Sequence, residues 1–413
     1  MIAKQTATVL LILVVVAFVG YSWCQNQKFF DYVISTDGSG TYFVKDSAGV
    51  LKYSTSDYSA AVNSIPSNSA VSITDGTYTM LTPIVYKSGQ SFTGQDENAV
   101  VITGFRTTSV GTLMTGRGNN ILLSKFTFNV NNPNPTGSIP VPNLYGQGII
   151  LVGDGNTISH VTLYNAYLQG IIMGDVNTGI VSNNPVVHDC NVYNCGNDAI
   201  ILDDCQGGLA YNNNVHDSYG DQAGGINICY GSSQCIVKNN FGNNLAYGFG
   251  TDNSFGVPDY ADSFINNVAT NSRYNGFMVD GGTLISFVSC TAVGYGQLGF
   301  WAGKNPTTGT YPINAEFAHC VADGNSQNAY GFMATNMNNY TISDFHATGN
   351  RVGIEIASSI GPGTLREPVF SNNSAHDIMV ITNTQNLTII RNPANCYIDP
   401  TSQPYVKEII IVK

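Results

Sequence analysis

Acidic residues that could do chemistry gather in the middle of the chain, at Asp198, Asp203, Asp204, Asp221, Asp252 and Asp280. Two carboxyl groups of unlike protonation can serve as general acid and general base. Three oxygen donors brought to one point can instead hold a hard cation such as Ca²⁺. The same stretch carries cations at His188, His216, Lys238 and Arg273, and a flat ring of the kind on which sugars stack at Trp301. Any single Asp is explained as well by the end of a strand or the cap of a turn. These residues are far apart in sequence, so their chemistry depends on elements that return the chain to the same place many times.

Such elements are legible. Aligning Gly148, Gly170, Ala199, Gly225, Gly248, Gly276, Gly299, Gly331, Gly353 and Asp377 gives successive spacings of 22, 29, 26, 23, 28, 23, 32, 22 and 24 residues. A period in the twenties with variable insertions is the mark of a solenoid. The next residue is always apolar (Ile149, Ile171, Ile200, Ile226, Phe249, Phe277, Phe300, Phe332, Ile354, Ile378), and the third mostly so. This alternation predicts one strand per turn, facing a common core. The second and fourth positions then face outward. The second-position row, Ile150, Ile172, Ile201, Asn227, Gly250, Met278, Trp301, Met333, Glu355 and Met379, is too apolar for plain solvent and reads as a binding groove, a covered face or a partner interface, self-association included. The fourth-position row holds Asp203, Asp252 and Asp280, with Asp175 and Asp204 one residue further along. Long insertions, Thr251 to Asp262 and Gly303 to Asn314, are placed to wall one side of it.

A second apolar column is expected at Ile158, Val187, Val215, Val237, Ile265, Phe287, Phe317, Ile342 and Phe370. Two residues after each comes a short, mostly polar side chain suited to a sharp turn: His160, Asp189, Asp217, Asn239, Asn267, Ser289, His319, Asp344 and Asn372. In this alignment His188, His216 and Lys238 share one outward column.

With its Gly-Ile-x-Ile phrases and later Ile-x-Asn-Asn phrases, residues 60 to 395 resemble the repeat of the pectate lyase-like superfamily. The resemblance implies an all-β fold, a single-stranded right-handed parallel β-helix of about ten or more rungs. That scaffold carries lyases, hydrolases, epimerases, tailspikes and surface proteins, so it does not choose among them. Asn197-Asp198-Ala199-Ile200 and Asp203-Asp204-Cys205 are similar to the Asn-Thr-Asp-Gly and Asp-Asp-Cys phrases of polygalacturonases. Ala223-Gly224-Gly225 stands where those enzymes have Gly-His-Gly, and their later Arg-Ile-Lys phrase is absent. On the hydrolase reading Asp198, Asp203, Asp204 and Asp221 pair as acid and base. On the lyase reading Asp203, Asp252 and Asp280 hold Ca²⁺ beside a cationic base, Arg273 or Lys238. In both, Trp301, Met278, His216 and Lys238 touch an extracellular polysaccharide. The alternative is a non-catalytic surface or adhesive module.

Composition is consistent with such a partner. Charged residues are only 10% of the 413, against 43% hydrophobic, so uncharged polar side chains must carry solubility, a surface suited to hydrated polymers. A net charge of -11 with 16 Lys and Arg argues against nucleic acid. The apolar run Ala7 to Gly20 after Lys4 reads as a secretory signal over residues 1–24, or as a retained membrane anchor. Either puts the remainder outside the cytoplasm, secreted or at the cell surface. Residues 25–70, with a hairpin around Asp37-Gly38-Ser39-Gly40 and a short helix capped by Ser56, are expected to cap the β-helix of residues 71–413. Cys290 and Cys320, and one pair among Cys205, Cys229 and Cys235, are placed to form disulfides or to pack as small apolar side chains. Asn339, Asn372 and Asn386 head glycosylation sequons, with Asn339 and Asn386 the more accessible.

Overall fold

The computed structural model describes residues 30–105, 112–131, 146–221, 223–252, 257–305, 307–325, 328–382, 384–391 and 395–410; the segment expected to be a signal or anchor lies outside them. The chain is a right-handed parallel β-helix. Among the described residues, 13 parallel strands stack into a first sheet and the remaining longer ladders into a second, 27-stranded sheet. No helix there is long and apolar enough to cross a membrane.

The first sheet follows the predicted register. Ile149, Ile171, Ile200, Ile226, Phe249, Phe277, Phe300, Phe332, Ile354 and Ile378 pair rung on rung. The glycine that precedes most of them is required by close approach: a Cβ at Gly248 would lie 2.2 Å from the carbonyl oxygen of Gly276.

The second apolar column needs correction. Most turns return through two short strands, such as the three-residue pair Val186–His188 and Asn191–Tyr193. One left-handed residue links them, Asp189 (φ 53°) in this turn, followed by an inward residue, Cys190. The inward ladder of the earlier strand runs Ile158, Val187, Ala210, Val237, Phe264, Phe287, Phe317, Ile342 and Leu365. Val215 and Phe370 belong to the later strand, paired with Gly242 and Ala347, and Ile265 is one residue out of phase. His216 therefore does not share a column with His188 and Lys238. His188 stacks with Tyr211 and Lys238, and His216 with Tyr193.

Inside, identical side chains stack at the rung spacing. Phe264, Phe287 and Phe317 lie face to face at 4.5 and 5.3 Å, and meet the Phe277–Phe300 stack edge-on. Asn213, Asn240 and Asn267 form a buried amide ladder, each Nδ2 donating to the Oδ1 of the next at 3.0 Å where a next exists, and to a backbone carbonyl of the preceding turn. Cys290 and Cys320 continue that position as buried thiols, and Cys205, Cys229 and Cys235 are likewise unbridged and buried. Stacked neighbours of one ladder point their Cβ atoms in parallel, a poor geometry for a disulfide.

Before the first turn, Tyr32–Thr36 and Tyr42–Asp46 form the expected hairpin, and Tyr32–Ile34 pairs in parallel with Val71–Ile73. The helix Tyr58–Asn63 is capped by Asp57, not Ser56, because the Asp57 side chain accepts from Ser59 N–H at 3.0 Å. At the other end Val406–Ile410 pairs with Leu387–Arg391.

Two carboxyls sit fully inside the turn that follows the first sheet. Asp259 accepts from Gly231 and Ser232 N–H at 3.0 and 3.1 Å, and Asp262 accepts from Cys235 N–H at 2.7 Å. Burial pushes Asp262 up to about 8, and burial with the nearby Asp262 charge holds Asp259 well above the usual carboxylate range. In the unfolded chain such groups titrate near 4, so the native state retains protons that the unfolded state has released. The stabilisation from Asp262 is complete below pH ~4 and is lost as pH rises through about 8. Asp262→Asn keeps the acceptor for Cys235 and is expected to flatten the fall in Tm between mildly acidic and mildly alkaline pH. Thermal unfolding across that range tests it; an unchanged slope would assign the pH dependence to other groups.

Candidate active site

The outer face of the first sheet carries a cleft of about 950 Å³ that gathers Asp175, Asp198, Asp203, Asp252 and Asp280 over a floor including Ile150, Ile172, Ile201, Met278 and Trp301. Strand register explains why. Asp203, Cys229, Asp252 and Asp280 occupy one position on four consecutive turns, and Ile172, Ile201, Asn227, Gly250, Met278 and Trp301 occupy the position two residues before it.

The floor has two parts. Ile172 and Ile201, each 5% exposed, pack with Cys229 and with the partly buried Ile150 and Tyr230. Tyr230 follows the strand Gly224–Cys229 in a left-handed conformation (φ 60°). Met278 and Trp301 are only half-buried. The apolar row is thus a small covered cluster beside an open apolar shelf.

The carboxyls differ in their surroundings. Asp198 is 8% exposed, and its Oδ1 accepts from Gly224 N–H and Asn227 Nδ2, both at 2.7 Å. Burial pushes it up to about 7 against those two hydrogen bonds, with the charge of Asp252 adding to the rise. Asp203, 7% exposed, is pushed up to about 7 by burial and then by the charge of Asp175, while a long contact from Val176 N–H at 3.3 Å opposes. Asp280 reaches about 7 through burial and the Asp252 charge, and its Oδ2 accepts from Asn305 Nδ2 at 2.8 Å. Asp252 is therefore the negative charge felt by both Asp198 and Asp280. Three carboxyls that are half protonated at neutral pH in one cleft are a supply of general acids.

The other residues singled out from the sequence lie elsewhere. Asp204 is in a left-handed turn (φ 49°) beyond the strand, half-buried and raised by that burial, and is not part of the cleft wall. Asp221 is exposed on a connecting turn. Arg273 donates from Nη2 to the carbonyl of Gly220 at 2.5 Å and ties two turns together. His216 and Lys238 stand on the second sheet, stacked on Tyr193 at 4.8 Å and above Tyr211 at 5.6 Å respectively. Among the described residues no Lys, Arg or His lines the cleft. Tyr230 and Asn227 were not singled out as site residues; for Tyr230 the signal was an aromatic residue directly after a strand.

A Ca²⁺ ion wants six to eight oxygens at 2.3–2.6 Å. Asp203 is separated from Asp252 by the turn that carries Cys229, and among the described residues the oxygens of Asp203, Asp252 and Asp280 do not all come within 4.8 Å of one another.

Neither a family model nor a curated protein matches the sequence. Solved structures do match. The A-module of a mannuronan C-5 epimerase from Azotobacter vinelandii is 12% identical, with 86% of this chain and 93% of that one covered at a TM-score of 0.53. The catalytic unit of a GH87 alpha-1,3-glucanase from Streptomyces thermodiastaticus is 11% identical, with 85% and 64% covered at 0.55. The tailspike protein of an E. coli bacteriophage, solved in complex with a pentasaccharide, is 12% identical, with 84% and 70% covered at 0.64. The likeness is one of fold.

Burial holds the Cys229 thiol well above its usual value, so beside these carboxyls it is a neutral packing group and no nucleophile. A thiol reagent applied to the native protein at neutral pH is expected to leave Cys229 and the six other buried cysteines unmodified, with Cys396 alone among the described cysteines accessible. Rapid loss of the Cys229 thiol would show that the floor of the cleft opens.

Proposed function

We propose that the cleft binds an extended polysaccharide and hydrolyses its glycosidic bonds by acid–base catalysis. The observation that carries this reading is the group of carboxyls held near neutral pKa over an apolar floor that includes Trp301. Asp203 donates its proton to the glycosidic oxygen as the C–O bond breaks, and Asp252 removes a proton from the water that attacks the anomeric carbon. The two lie two turns apart in one row, roughly 9–10 Å along the axis, at the upper end of the separation that leaves room for a water and gives inversion. Asp198 and Asp280 flank Asp252 and hold hydroxyl groups of the sugar, while Trp301 and Met278 carry its apolar face.

Support comes also from the fold neighbours: a glucanase and a mannuronan epimerase are named for their polysaccharides, and the tailspike holds a pentasaccharide. An extracellular location, expected from residues 1–24, suits that substrate. Elimination is the weaker reading, because neither Arg273 nor Lys238 lines the cleft and the row of carboxylates does not converge on a cation.

The purified protein should release reducing ends from one member of a panel of neutral and uronic-acid polysaccharides. Asp203→Asn and Asp252→Asn are expected to lower kcat by about 10²–10⁴-fold. Trp301→Ala should weaken binding roughly tenfold, about 1.4 kcal/mol. The acid must be protonated to act, so kcat should fall as pH rises past about 7. Unsaturated product ends would establish a lyase instead, and a glycan bound without turnover would establish an adhesive module.

A further inference from the structure

On the second sheet, away from the cleft, two turns present a set of donors that neither the fold nor the cleft chemistry requires. A ring nitrogen of His160, a ring nitrogen of His188 and a carboxylate oxygen of Asp189 all lie within 4.8 Å of one another. We propose that His160, His188 and Asp189 form a surface site for a divalent first-row transition ion of the Zn²⁺ class, which clips two consecutive turns of the β-helix together.

The donor set is that of imidazole-preferring ions: two neutral nitrogens and one carboxylate, with positions left for water. It is also held in place. His188 stacks face to face on Tyr211 at 4.7 Å and 2°, so its ring plane is set by the ladder beneath it. Its Nδ1 lies 2.6 Å from Asp189 Oδ2, and Asp189 Oδ1 accepts from Asn212 Nδ2 at 3.2 Å, so the carboxylate is oriented from the next turn. The His160 ring stands edge-on to His188 at 5.7 Å, exposed to solvent. His160 itself occupies the left-handed turn position (φ 52°), which other turns fill with side chains as different as Asn212 (φ 55°), Asn239 (φ 56°), Ser289 (φ 54°), His319 (φ 54°) and Glu367 (φ 47°). The turn does not need a histidine. His and Asn are both tolerated there, so what sets His160 apart is the His188–Asp189 pair within reach of its ring.

The chain contains its own comparison. His216 and Asp217 repeat the pairing of His188 and Asp189, with Nδ1 2.7 Å from Oδ2, although the His216 ring stacks on Tyr193 of the preceding turn, at 4.8 Å and 5°, and the His188 ring on Tyr211 of the following one. There the left-handed residue of the preceding turn is Asn194, in the place that His160 holds beside His188. The imidazole–carboxylate pair is thus a recurrent surface feature, and His160 is what turns one copy of it into three ligands.

The test uses the untagged full chain. Zn²⁺ titration by calorimetry should show one equivalent bound and a rise in Tm with added ion. His160→Asn installs the residue that other turns carry, so it should leave the ion-free Tm unchanged while weakening binding by about tenfold or more. His188→Ala should do the same to binding, and His216→Ala should leave it unaltered. Co²⁺ gives a second readout, with visible absorption bands of the wild-type complex that vanish in His160→Asn. A wild-type protein that binds no Zn²⁺, or a His160→Asn variant that binds it as the wild type does, overturns the proposal.

Discussion

The stacking of equivalent positions at the rung spacing is the constraint on which the rest of the molecule depends. A parallel β-helix places residue upon residue about 4.8 Å apart, so each side chain meets the occupants of its own position on the turns above and below. Where the type is apolar or amide, the consequence is favourable: Phe264, Phe287 and Phe317 stack face to face, and Asn213, Asn240 and Asn267 satisfy one another in a dry interior. Where the type is a carboxyl, like charges are forced together, and one way out is protonation.

That exit is what makes the cleft chemical. Asp252 and Asp280 are adjacent in one row, Asp203 lies two turns back, and Asp198 approaches from the start of a strand. Each of the raised groups owes its shift first to burial and then to a neighbouring carboxylate, Asp252 for Asp198 and Asp280 and Asp175 for Asp203. The neutral thiol of Cys229 separates Asp203 from Asp252 and leaves room between the two ends of the row. The same physics inside the turn, at Asp259 and Asp262, produces no chemistry, because those groups are sealed from solvent and only couple stability to pH.

Much of this was legible in the sequence, and the failures share a cause. The first strand announces itself because a small residue, in most turns a glycine forced by backbone contact, precedes a long alternating phrase, and that anchor puts Asp203, Asp252, Asp280, Met278 and Trp301 on one face from the sequence alone. The return path has no such anchor. Its two three-residue strands each carry a single inward side chain, flanking one left-handed residue, so Val215 and Val237 look equivalent although they belong to different ladders. The error moved His216 into the column of His188 and Lys238 and hid the different neighbours of His160 and Asn194. Asp259 and Asp262 were passed over for another reason: turn aspartates normally face water, and their burial depends on the turn folding inward.

The account rests on carboxyls that keep their protons at neutral pH, and that can be measured on the protein without knowing its substrate. Side-chain carboxyl carbon shifts of ¹³C-labelled aspartate, followed through a pH titration and assigned with Asp198→Asn, Asp203→Asn and Asp280→Asn, report each group directly. The account predicts midpoints near 7 for all three, with those of Asp198 and Asp280 falling when Asp252 is replaced by Asn. Midpoints near 4 throughout, unmoved by that replacement, would contradict it.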